Sequence, residues 1–441
     1  MSNSNLIPES LLCDNIGVNH EGNLTFAGFD TVALAKKYST PLYLIDENKV
    51  REKLRIYKKA MSEFYGHGSF PSYASKALCA KFMYRILAEE DVTADVVSVG
   101  ELYTAVSTGF PAEKLFFHGN NKTSSDIHFA IDNGCGYFVV DNIDELNEIN
   151  EYSATVGVVQ KVLIRVSPGI DPHTFKAVAT GNVDSKFGFA IETGQAEEIT
   201  AYALGLNNIC LCGFHCHIGS QIFDSVPFID AAHIMFEYMA DIREKYGYVA
   251  DILNLGGGFG VPYVEADGNI DIVNTIKEIG EWLDKRCEEI NYPHPTIIHE
   301  PGRSIVADAG LTLYEVGTVK EITGLKNYVS IDGGMYDNPR FALYEAQYTA
   351  TVANRVTKPK EYLCSLVGRC CESGDIIAED IKLQKPLRGD TVAVFTTGAY
   401  NYTMASNYNR TPRPPIVLLN NNGDSVVVKR ETLDDMLINE I

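Results

Sequence analysis

The sequence lacks the features of a secreted, membrane-embedded or nucleic-acid-binding protein. No apolar run approaches the roughly 20 residues that span a bilayer, and the start, "MSNSNLIPESLL", has no basic stretch before an apolar segment. Basic residues number 37 against 58 acidic ones, which gives a net charge of −21. Such an acidic surface disfavours nucleic acid and anionic membranes as partners. We therefore expect a soluble, cytoplasmic protein.

Regular cysteine spacings are also missing. The ten cysteines are irregularly placed with no repeated CxxC, which suits a reducing compartment better than a disulfide framework. The stretch "CLCGFHCH" at 210–217 suggests zinc at first. On a strand, however, its cysteines would occupy one face and its histidines the other. We expect no metal and interpret the cysteines as small core residues.

What is present is a repeated pattern of strand followed by helix. From residue 70, β-rich runs alternate with helical segments such as 78–89, 124–133, 193–206, 227–246 and 269–290. Eight such units are typical of a (β/α)8 barrel, with an open doubly wound sheet as the alternative. The strand candidates are 70–75, 92–98, 114–118, 137–141, 161–167, 211–218, 251–255 and 296–300.

The pattern changes after about residue 310. Runs such as "LTLYEVGTVKEI", "EYLCSLVG" and "DSVVVK" read as strands separated by turn residues, which predicts a β-barrel or sandwich domain. We expect a barrel over 41–310 and this β domain over 311–441. The first segment, 1–40, lies outside the barrel pattern and is expected to pack with the β domain.

Charged and ring-bearing side chains collect at the predicted strand ends. Because the catalytic face of such a barrel lies where strands end, these residues are candidates for one site. In chain order they are Lys76, Asp95, His118, Asp141, Arg165, His217, "GGGFG" at 256–260 and "EPGR" at 300–303. Taken alone, Lys76 would be read as a surface lysine with its stem along the core.

The run "GGGFG" is a candidate phosphate cradle, since glycines allow backbone N–H groups to approach an anion. It does not match the dinucleotide fingerprint, because Val261 stands where a third glycine or alanine is needed and Pro262 disfavours the helix. A P-loop is excluded because no GK[ST] occurs. The run follows the seventh predicted strand, where barrels often bind phosphate. A tight turn without a ligand is the alternative.

A lysine amine, a phosphate cradle and the carboxylate of Glu300 are what pyridoxal phosphate requires. The amine forms an imine with the aldehyde, and an acidic partner keeps the pyridine nitrogen protonated, so that the ring acts as an electron sink. His217 is positioned to stack against the ring, or else is a core histidine bonded to backbone.

A second cluster lies in the β domain. The stretch "GRCCESGD" at 368–375 is either an ordinary turn or a functional loop. In the functional interpretation, a cysteine thiol acts as an acid beside a carboxylate that binds a substrate ammonium group. Arg303 and Arg340 together are suited to binding a carboxylate, although either arginine alone is more often part of a surface ion pair.

Six motifs in register resemble the diaminopimelate decarboxylase family, whose members are pyridoxal-phosphate enzymes of the alanine racemase/ornithine decarboxylase fold type. The motifs are "YASKAL", "HCHIGSQI", "NLGGGFGVPY", "EPGRSIVADAG", "CCESGD" and "GAYNYTMASNYN", and the likeness covers about 40 to 438. The resemblance implies decarboxylation of meso-2,6-diaminopimelate to L-lysine and carbon dioxide, the last step of lysine biosynthesis. It also implies a homodimer in which the Cys371–Glu372 loop reaches into the partner's barrel.

The resemblance implies the site roles. Lys76 is expected to carry the Schiff base, His217 to stack on the cofactor, and Cys371 to donate a proton. With the strand-end residues, the predicted cofactor-binding set is Lys76, Asp95, Arg165, His217, Ser220, Gly257, Gly258, Glu300, Gly302, Arg303 and Tyr400. The predicted substrate-binding set is Arg303, Arg340, Tyr344, Glu372 and Tyr400. One departure is Phe341 in "DNPRFALY", where many relatives have proline.

Other functions stay open at this point. A decarboxylase of ornithine, lysine or carboxynorspermidine would use the same cofactor, but these substrates lack the distal amino-acid head that Glu372 and the arginines would bind. A racemase would not need the thiol of Cys371. A catalytically silent relative that binds a partner protein would be expected to have lost Lys76 or Cys371, and both are present. The interpretation as a nucleotide-binding protein depends on "GGGFG" alone.

Overall fold

The computed structural model describes residues 15–66, 68–170 and 185–441. The barrel unit comprises Lys53–Gly260 and Ile270–Gly302. The β unit comprises the described part of Met1–Glu52 together with Val261–Asn269 and Arg303–Ile441. The boundaries of this unit differ from residues 40 and 310, at which the sequence pattern predicts the domain boundaries. That predicted division stays a prediction. None of the described helices combines the length and apolarity that crossing a membrane requires.

The barrel unit contains a closed parallel barrel. Each of eight strands pairs with the next, and the eighth returns to the first through Ile298 and His299. The predicted (β/α)8 barrel is therefore confirmed, and the open sheet is excluded. In chain order the barrel strands are Phe70–Ala74, Thr93–Val96, Leu115–Phe117, Tyr137–Val140, Gln160–Ser167, Ile209–His215, Ile252–Asn254 and Thr296–His299. A short strand, Phe189–Ala190, pairs with the fifth.

Helices follow the strands, and their ends are set by local sequence. Thr123 and Asp126 form a reciprocal capping box at one helix start, and Gly157 ends another helix in the left-handed conformation. The main helices of this unit are Lys81–Glu89, Val99–Val106, Ser124–Asp132, Ile143–Val156, Gln195–Leu204, Val226–Tyr246 and Ile272–Ile290. The helix Glu47–Phe64 begins in the β unit and ends in this one.

An apolar layer fills the barrel interior. It takes one inward side chain from each of six strands: Phe116, Val139, Leu163, Cys212, Ile252 and Ile298. Side chains along a regular strand alternate between its two faces. Wherever the strand is regular, the residues two positions before and after one of these six therefore also point into the barrel. This layer is the floor on which the polar residues described below lie.

The β unit is built on a mixed sheet of long-range pairings. Leu42–Asp46 lies between Gly310–Ile322, which is antiparallel to it, and Ile416–Asn420, which is parallel. The remaining strands of this sheet are Lys326–Ile331, Ala350–Val352, Tyr362–Val367, Ile376–Leu383, Thr391–Phe395 and Gly423–Val428. Leu24, Phe26 and Leu34 from the first 40 residues pack into the apolar core of this unit. They come from a small sheet (Ile16–Val18, Leu24–Phe26 and Phe29–Asp30) and the helix Thr31–Tyr38.

Candidate active site

A polar layer lies directly above the apolar floor of the barrel. The next inward position is two residues nearer the carboxyl end along five of these strands and three residues nearer along the sixth barrel strand, and there the side chains are polar and buried. They are His118, Asp141, Arg165, His215, Asn254 and Glu300. The barrel interior therefore changes from apolar to polar at the end where the strands finish, which is the catalytic face of such folds.

The sixth strand reaches this layer through an irregularity. Its pairing register shifts between Leu211 and Gly213, which adds one residue to the strand. Cys212 consequently faces the apolar interior, while His215, three residues later, faces the polar layer. The expectation that cysteines and histidines here face opposite ways is wrong for this pair, because a regular two-residue alternation was assumed.

Glu300 is the centre of the polar layer. Asn254 Nδ2 donates to its Oε1 at 2.7 Å, and His118 Nε2 lies 2.8 Å from the same oxygen. His215 Nε2 lies 3.1 Å from Oε2. Burial acts to raise the pKa of Glu300, but the neighbouring His118 and His215 outweigh it and hold this pKa well below its usual value. Glu300 is therefore a buried carboxylate that stays ionised.

The same three residues have donor atoms that a metal ion could use, all within 4.8 Å of one another. The 2.8 Å between His118 and Glu300 is, however, a hydrogen-bond distance. Two ligands about 2.0–2.1 Å from a tetrahedral zinc ion would lie roughly 3.3 Å apart. The spacing of His118 and Glu300 is that of a side chain in direct contact with a carboxylate.

Lys76 lies at the mouth of the barrel. It sits in a single 3-10 turn, Ser75–Ala77, directly after the first strand, and its side chain is exposed between two buried neighbours. Asp95 Oδ1 accepts the N–H of Ser75 at 2.9 Å and so holds this turn. Burial and the charge of Glu300 raise the pKa of Asp95 to about 8, against the opposing effect of the Lys76 charge.

His217 lies beyond the strand in which it was predicted. The sixth strand ends at His215, so His217 is in the following loop and half-buried. Burial, followed by the positive charges of Lys76 and Arg165, holds its pKa well below the usual value. A neutral imidazole is suited to lying against an aromatic ring. The Arg165 guanidinium lies 4.3 Å from the ring of Phe187.

In the loops after the seventh and eighth strands, glycines pack so closely against neighbouring atoms that no side chain would fit. A Cβ on Gly257 would lie 2.1 Å from the carbonyl oxygen of Glu300, and one on Gly258 would lie 2.3 Å from that of Gly219. A Cβ on Gly302 would lie 2.8 Å from the Cβ of Ala74. Among the described residues, the N–H groups of Gly257, Gly258 and Gly302 meet no acceptor. Backbone N–H groups of this kind at glycine loops are a common element of anion-binding sites.

These barrel residues fit pyridoxal phosphate. The glycine N–H groups match a phosphate, and the exposed Lys76 amine matches an aldehyde. The ionised Glu300 matches a protonated ring nitrogen. Ser220, predicted for the same cofactor, lies half-buried in the loop after the sixth strand.

In the β unit, Arg303 and Arg340 converge on one aromatic ring. Arg303 Nη1 donates to the hydroxyl of Tyr263 at 2.8 Å, and the Arg340 guanidinium lies 4.3 Å from the same ring. Arg340 Nη1 donates to Tyr348 at 2.9 Å, and that hydroxyl donates to Asn401 Oδ1 at 3.0 Å. Both guanidinium groups are thus oriented by tyrosines, as a site for a carboxylate requires.

The structure brings Tyr400 to this cluster but not Tyr344. The Arg303 guanidinium lies 4.7 Å from the Tyr400 ring. Tyr344 ends the short helix Arg340–Tyr344 with its side chain exposed, and among the described residues no hydrogen bond or ring contact joins it to the cluster. The same helix begins at Arg340 even though Phe341 replaces proline, and Arg340 is buried.

Cys371 and Glu372 lie on an exposed loop of the β unit. The Cys371 N–H donates to Asn409 Oδ1 at 2.7 Å, and the Tyr408 hydroxyl lies 3.4 Å from Glu372 Oε2. Both predicted residues are therefore accessible to a ligand or to another protein.

Sequence reasoning missed the residues that orient the site. Asn254 and Tyr263 both belong to "NLGGGFGVPY", but only the glycines, Val261 and Pro262 of that motif were considered. Asn254 holds Glu300, and Tyr263 receives both arginines. Tyr348 carried no signal, because it stands outside every motif.

Comparisons with known proteins agree with this geometry. Residues 47–307 match the family described as "Pyridoxal-dependent decarboxylase, pyridoxal binding domain". A diaminopimelate decarboxylase of Bacillus subtilis is 44% identical over 419 residues, covering 95% of each chain. The structure of M. jannaschii diaminopimelate decarboxylase with L-lysine superposes with a TM-score of 0.90 at 35% identity, covering 97% of this chain and 98% of that one. A Vibrio vulnificus lysine/ornithine decarboxylase complexed with cadaverine reaches 0.73 at 27% identity, covering 88% and 97%.

Proposed function

Because this chain belongs to the diaminopimelate decarboxylases, within the pyridoxal-dependent decarboxylase family, we propose how its residues perform that reaction. The enzyme is a pyridoxal-phosphate-dependent carboxy-lyase that converts meso-2,6-diaminopimelate to L-lysine and carbon dioxide, as in lysine biosynthesis. The observation that carries the proposal is the buried Glu300 carboxylate, which accepts a hydrogen bond from Asn254, beneath a barrel mouth that bears Lys76 and glycine loops with no room for side chains.

The barrel unit holds the cofactor. When bound, pyridoxal phosphate supplies an electron sink for the pair left behind as carbon dioxide departs. Lys76 would hold its aldehyde group, and the N–H groups of Gly257, Gly258 and Gly302 would hold the phosphate together with Ser220. Glu300 would keep the ring nitrogen protonated, and His217 would lie against the ring. Asp95 fixes the Lys76 turn, and Arg165 lines the same polar layer.

The β unit recognises the substrate. Arg303 and Arg340 bind the carboxylate at the end that does not react, and Glu372 binds the ammonium group there. Tyr400 contacts both cofactor and substrate, whereas Tyr344, which lies exposed outside this cluster, is not assigned a contact with the carboxylate. Ornithine and lysine lack this amino-acid head, so binding them would leave buried charges unpaired, which is costly.

Cys371 returns a proton to the carbon that loses carbon dioxide. Its exposure suits a group that serves a second copy of the chain. We propose a homodimer in which the Cys371–Glu372 loop of each copy completes the barrel site of the other. The expected location of this enzyme is the cytoplasm.

Decarboxylation of ornithine, lysine or carboxynorspermidine is the runner-up. The lower structural similarity to the lysine/ornithine decarboxylase, a TM-score of 0.73 against 0.90, does not favour it. A racemase is less favoured, because its reaction releases no carbon dioxide and needs no thiol such as Cys371.

A substrate panel tests the proposed function. The purified protein is supplied with pyridoxal phosphate and then with meso-diaminopimelate, ornithine or lysine at equal concentrations. Carbon dioxide release and the amine product are measured for each substrate. Faster turnover of diaminopimelate, with L-lysine as product, is expected. Preferential turnover of ornithine or lysine would overturn the substrate assignment, and deuterium exchange without carbon dioxide release would point to a racemase.

A further inference from the structure

The Tyr- and Asn-rich stretch at 396–409 has a role that the chemistry above leaves unassigned. Its last residue, Asn409, makes the contact with Cys371 already described, in which the amide oxygen accepts the Cys371 N–H at 2.7 Å. Tyr408, beside it, points its hydroxyl at Glu372. Two neighbouring residues of one loop therefore touch two neighbouring residues of the other.

The N–H group of the neighbouring Cys370 is held by a different side chain. Asp375 Oδ2 accepts the N–H of Cys370 at 2.7 Å, and its Oδ1 accepts the N–H of Met335 at 2.6 Å. Glycine is needed around this carboxylate, since a Cβ on Gly368 would lie 2.3 Å from it. Consecutive N–H groups at 370 and 371 are thus fixed by side chains from two separate segments.

Asn409 is itself held in an unusual backbone conformation. Its φ is 51° and its ψ 25°, and Arg410 follows with a φ of 59°. Left-handed conformations of this kind are strained for most residues, and asparagine tolerates them best after glycine. Glu431 secures the segment by accepting from Asn407 Nδ2 at 2.6 Å and from the backbone N–H of Arg413 at 2.8 Å.

We propose that Asn409 is a positioning residue for Cys371: by accepting its N–H, Asn409 sets the place from which the thiol delivers its proton. The inference rests on the proposed function of Cys371. A proton donor must lie within hydrogen-bond reach of the carbon that it serves. Misplacement of a reacting group by about 1 Å can cost roughly a hundredfold in rate. A strained segment tied down by Glu431 is a rigid support of the kind such a group needs.

Three variants separate this role from general loop stability. Asn409→Gly keeps the left-handed backbone but removes the acceptor, whereas Asn409→Asp keeps both. Asn422→Ala, in an exposed turn of the same unit, is the control. We expect Asn409→Gly to lower kcat about tenfold with KM changed by less than about twofold. Asn409→Asp is expected to retain most of kcat, and Asn422→Ala to match the wild type.

Hydrogen–deuterium exchange provides a readout that does not depend on turnover. The Cys371 amide should exchange faster in Asn409→Gly than in the wild-type protein, and slowly again in Asn409→Asp. Unchanged kcat or unchanged exchange in Asn409→Gly would overturn the inference. Cys371→Ala separates the proton-donor role of Cys371 from the positioning role of Asn409. If Cys371→Ala retains turnover, the proton-donor role is refuted. If Cys371→Ala is inactive while Asn409→Gly is fully active, only the positioning role is refuted.

Discussion

Glu300 illustrates what the sequence could and could not predict for a single residue. Its place after the eighth strand, in "EPGR", marked it as the acidic partner of a cofactor ring. The polar groups nearest its carboxylate come from the ends of three other strands: His118 follows the third strand, and His215 and Asn254 end the sixth and seventh. Their approach requires the barrel to close, and His215 also requires the shift in register. Neither condition is written in local sequence, so the pKa direction of Glu300 follows only from the structure.

Arg340 should matter for substrate affinity and not for cofactor binding. Its planar guanidinium donates to Tyr348 and lies over Tyr263, and a lysine ammonium reproduces neither contact with the same geometry. We expect Arg340→Lys to raise KM for diaminopimelate about tenfold or more while the visible absorbance of the bound cofactor is unchanged. Arg388→Lys, at an exposed position of the same unit, is the matched control. A normal KM in Arg340→Lys would remove Arg340 from the substrate site.

Asp337 should make stability depend on pH. It is buried and accepts from the Tyr314 hydroxyl at 2.7 Å, and burial raises its pKa to about 8. In the unfolded chain its pKa is about 3.9. The contribution of protonated Asp337 to the free energy of unfolding is therefore complete below about pH 4. It declines by roughly 1.4 kcal/mol per pH unit as the pH rises toward 8, and it is lost above about pH 8.

Asp337→Asn should therefore flatten the pH dependence of unfolding between about pH 5 and 8. Guanidinium unfolding midpoints measured across this range test the expectation. Asp434→Asn, at an exposed position near the C-terminus, is expected to keep the slope of the wild-type protein. An identical slope in Asp337→Asn would show that Asp337 does not hold its proton in the folded state.

At the scale of elements, the pattern located all eight barrel strands to within a few residues. The predicted strand 70–75 is Phe70–Ala74, and 161–167 is Gln160–Ser167. The sixth strand differed most, because it ends at His215 and leaves His217 in a loop. The strand Leu42–Asp46 was not recognised as part of the β sheet, since its partners lie hundreds of residues away in sequence and periodicity carries no information on pairing.

The glycine loop after the seventh strand should tolerate no side chain. A Cβ on Gly257 would lie 2.1 Å from the Glu300 carbonyl oxygen, so the backbone must move and with it the N–H groups that we propose bind the phosphate. We expect Gly257→Ala to weaken pyridoxal phosphate binding by about tenfold or more, as measured by titrating the apoenzyme. Gly100→Ala is the control, because its Cβ would meet only the Ser98 hydroxyl at 3.7 Å. Equal affinity in the two variants would argue against the cradle.

At the scale of the whole molecule, the chain divides into two units. The barrel unit contains most of the predicted cofactor residues, and the β unit contains Arg303, Arg340 and Cys371. Composition alone disfavoured several classes of partner, whereas the predicted roles of these residues came from the motifs and the family resemblance. Dimerisation was implied by the resemblance only, and it stays a prediction.

Mixing two inactive variants tests the shared site. Lys76→Ala and Cys371→Ala subunits, combined in equal amounts and allowed to exchange, should form mixed dimers with one intact site each. About a quarter of wild-type activity is expected, because half of the dimers are mixed and each has one working site of two. Each variant alone stays inactive. No recovery of activity, once exchange has been demonstrated by mass spectrometry, would place both residues in the same subunit's site.

The central claim is that Lys76 carries the cofactor, and borohydride reduction tests it most directly. The holoenzyme is reduced, digested and analysed by mass spectrometry, so that any covalent phosphopyridoxyl group is assigned to one lysine. The expected result is a single label on Lys76, accompanied by loss of the visible absorbance and of L-lysine production. A label on another lysine, or none after incubation with pyridoxal phosphate, would contradict the account.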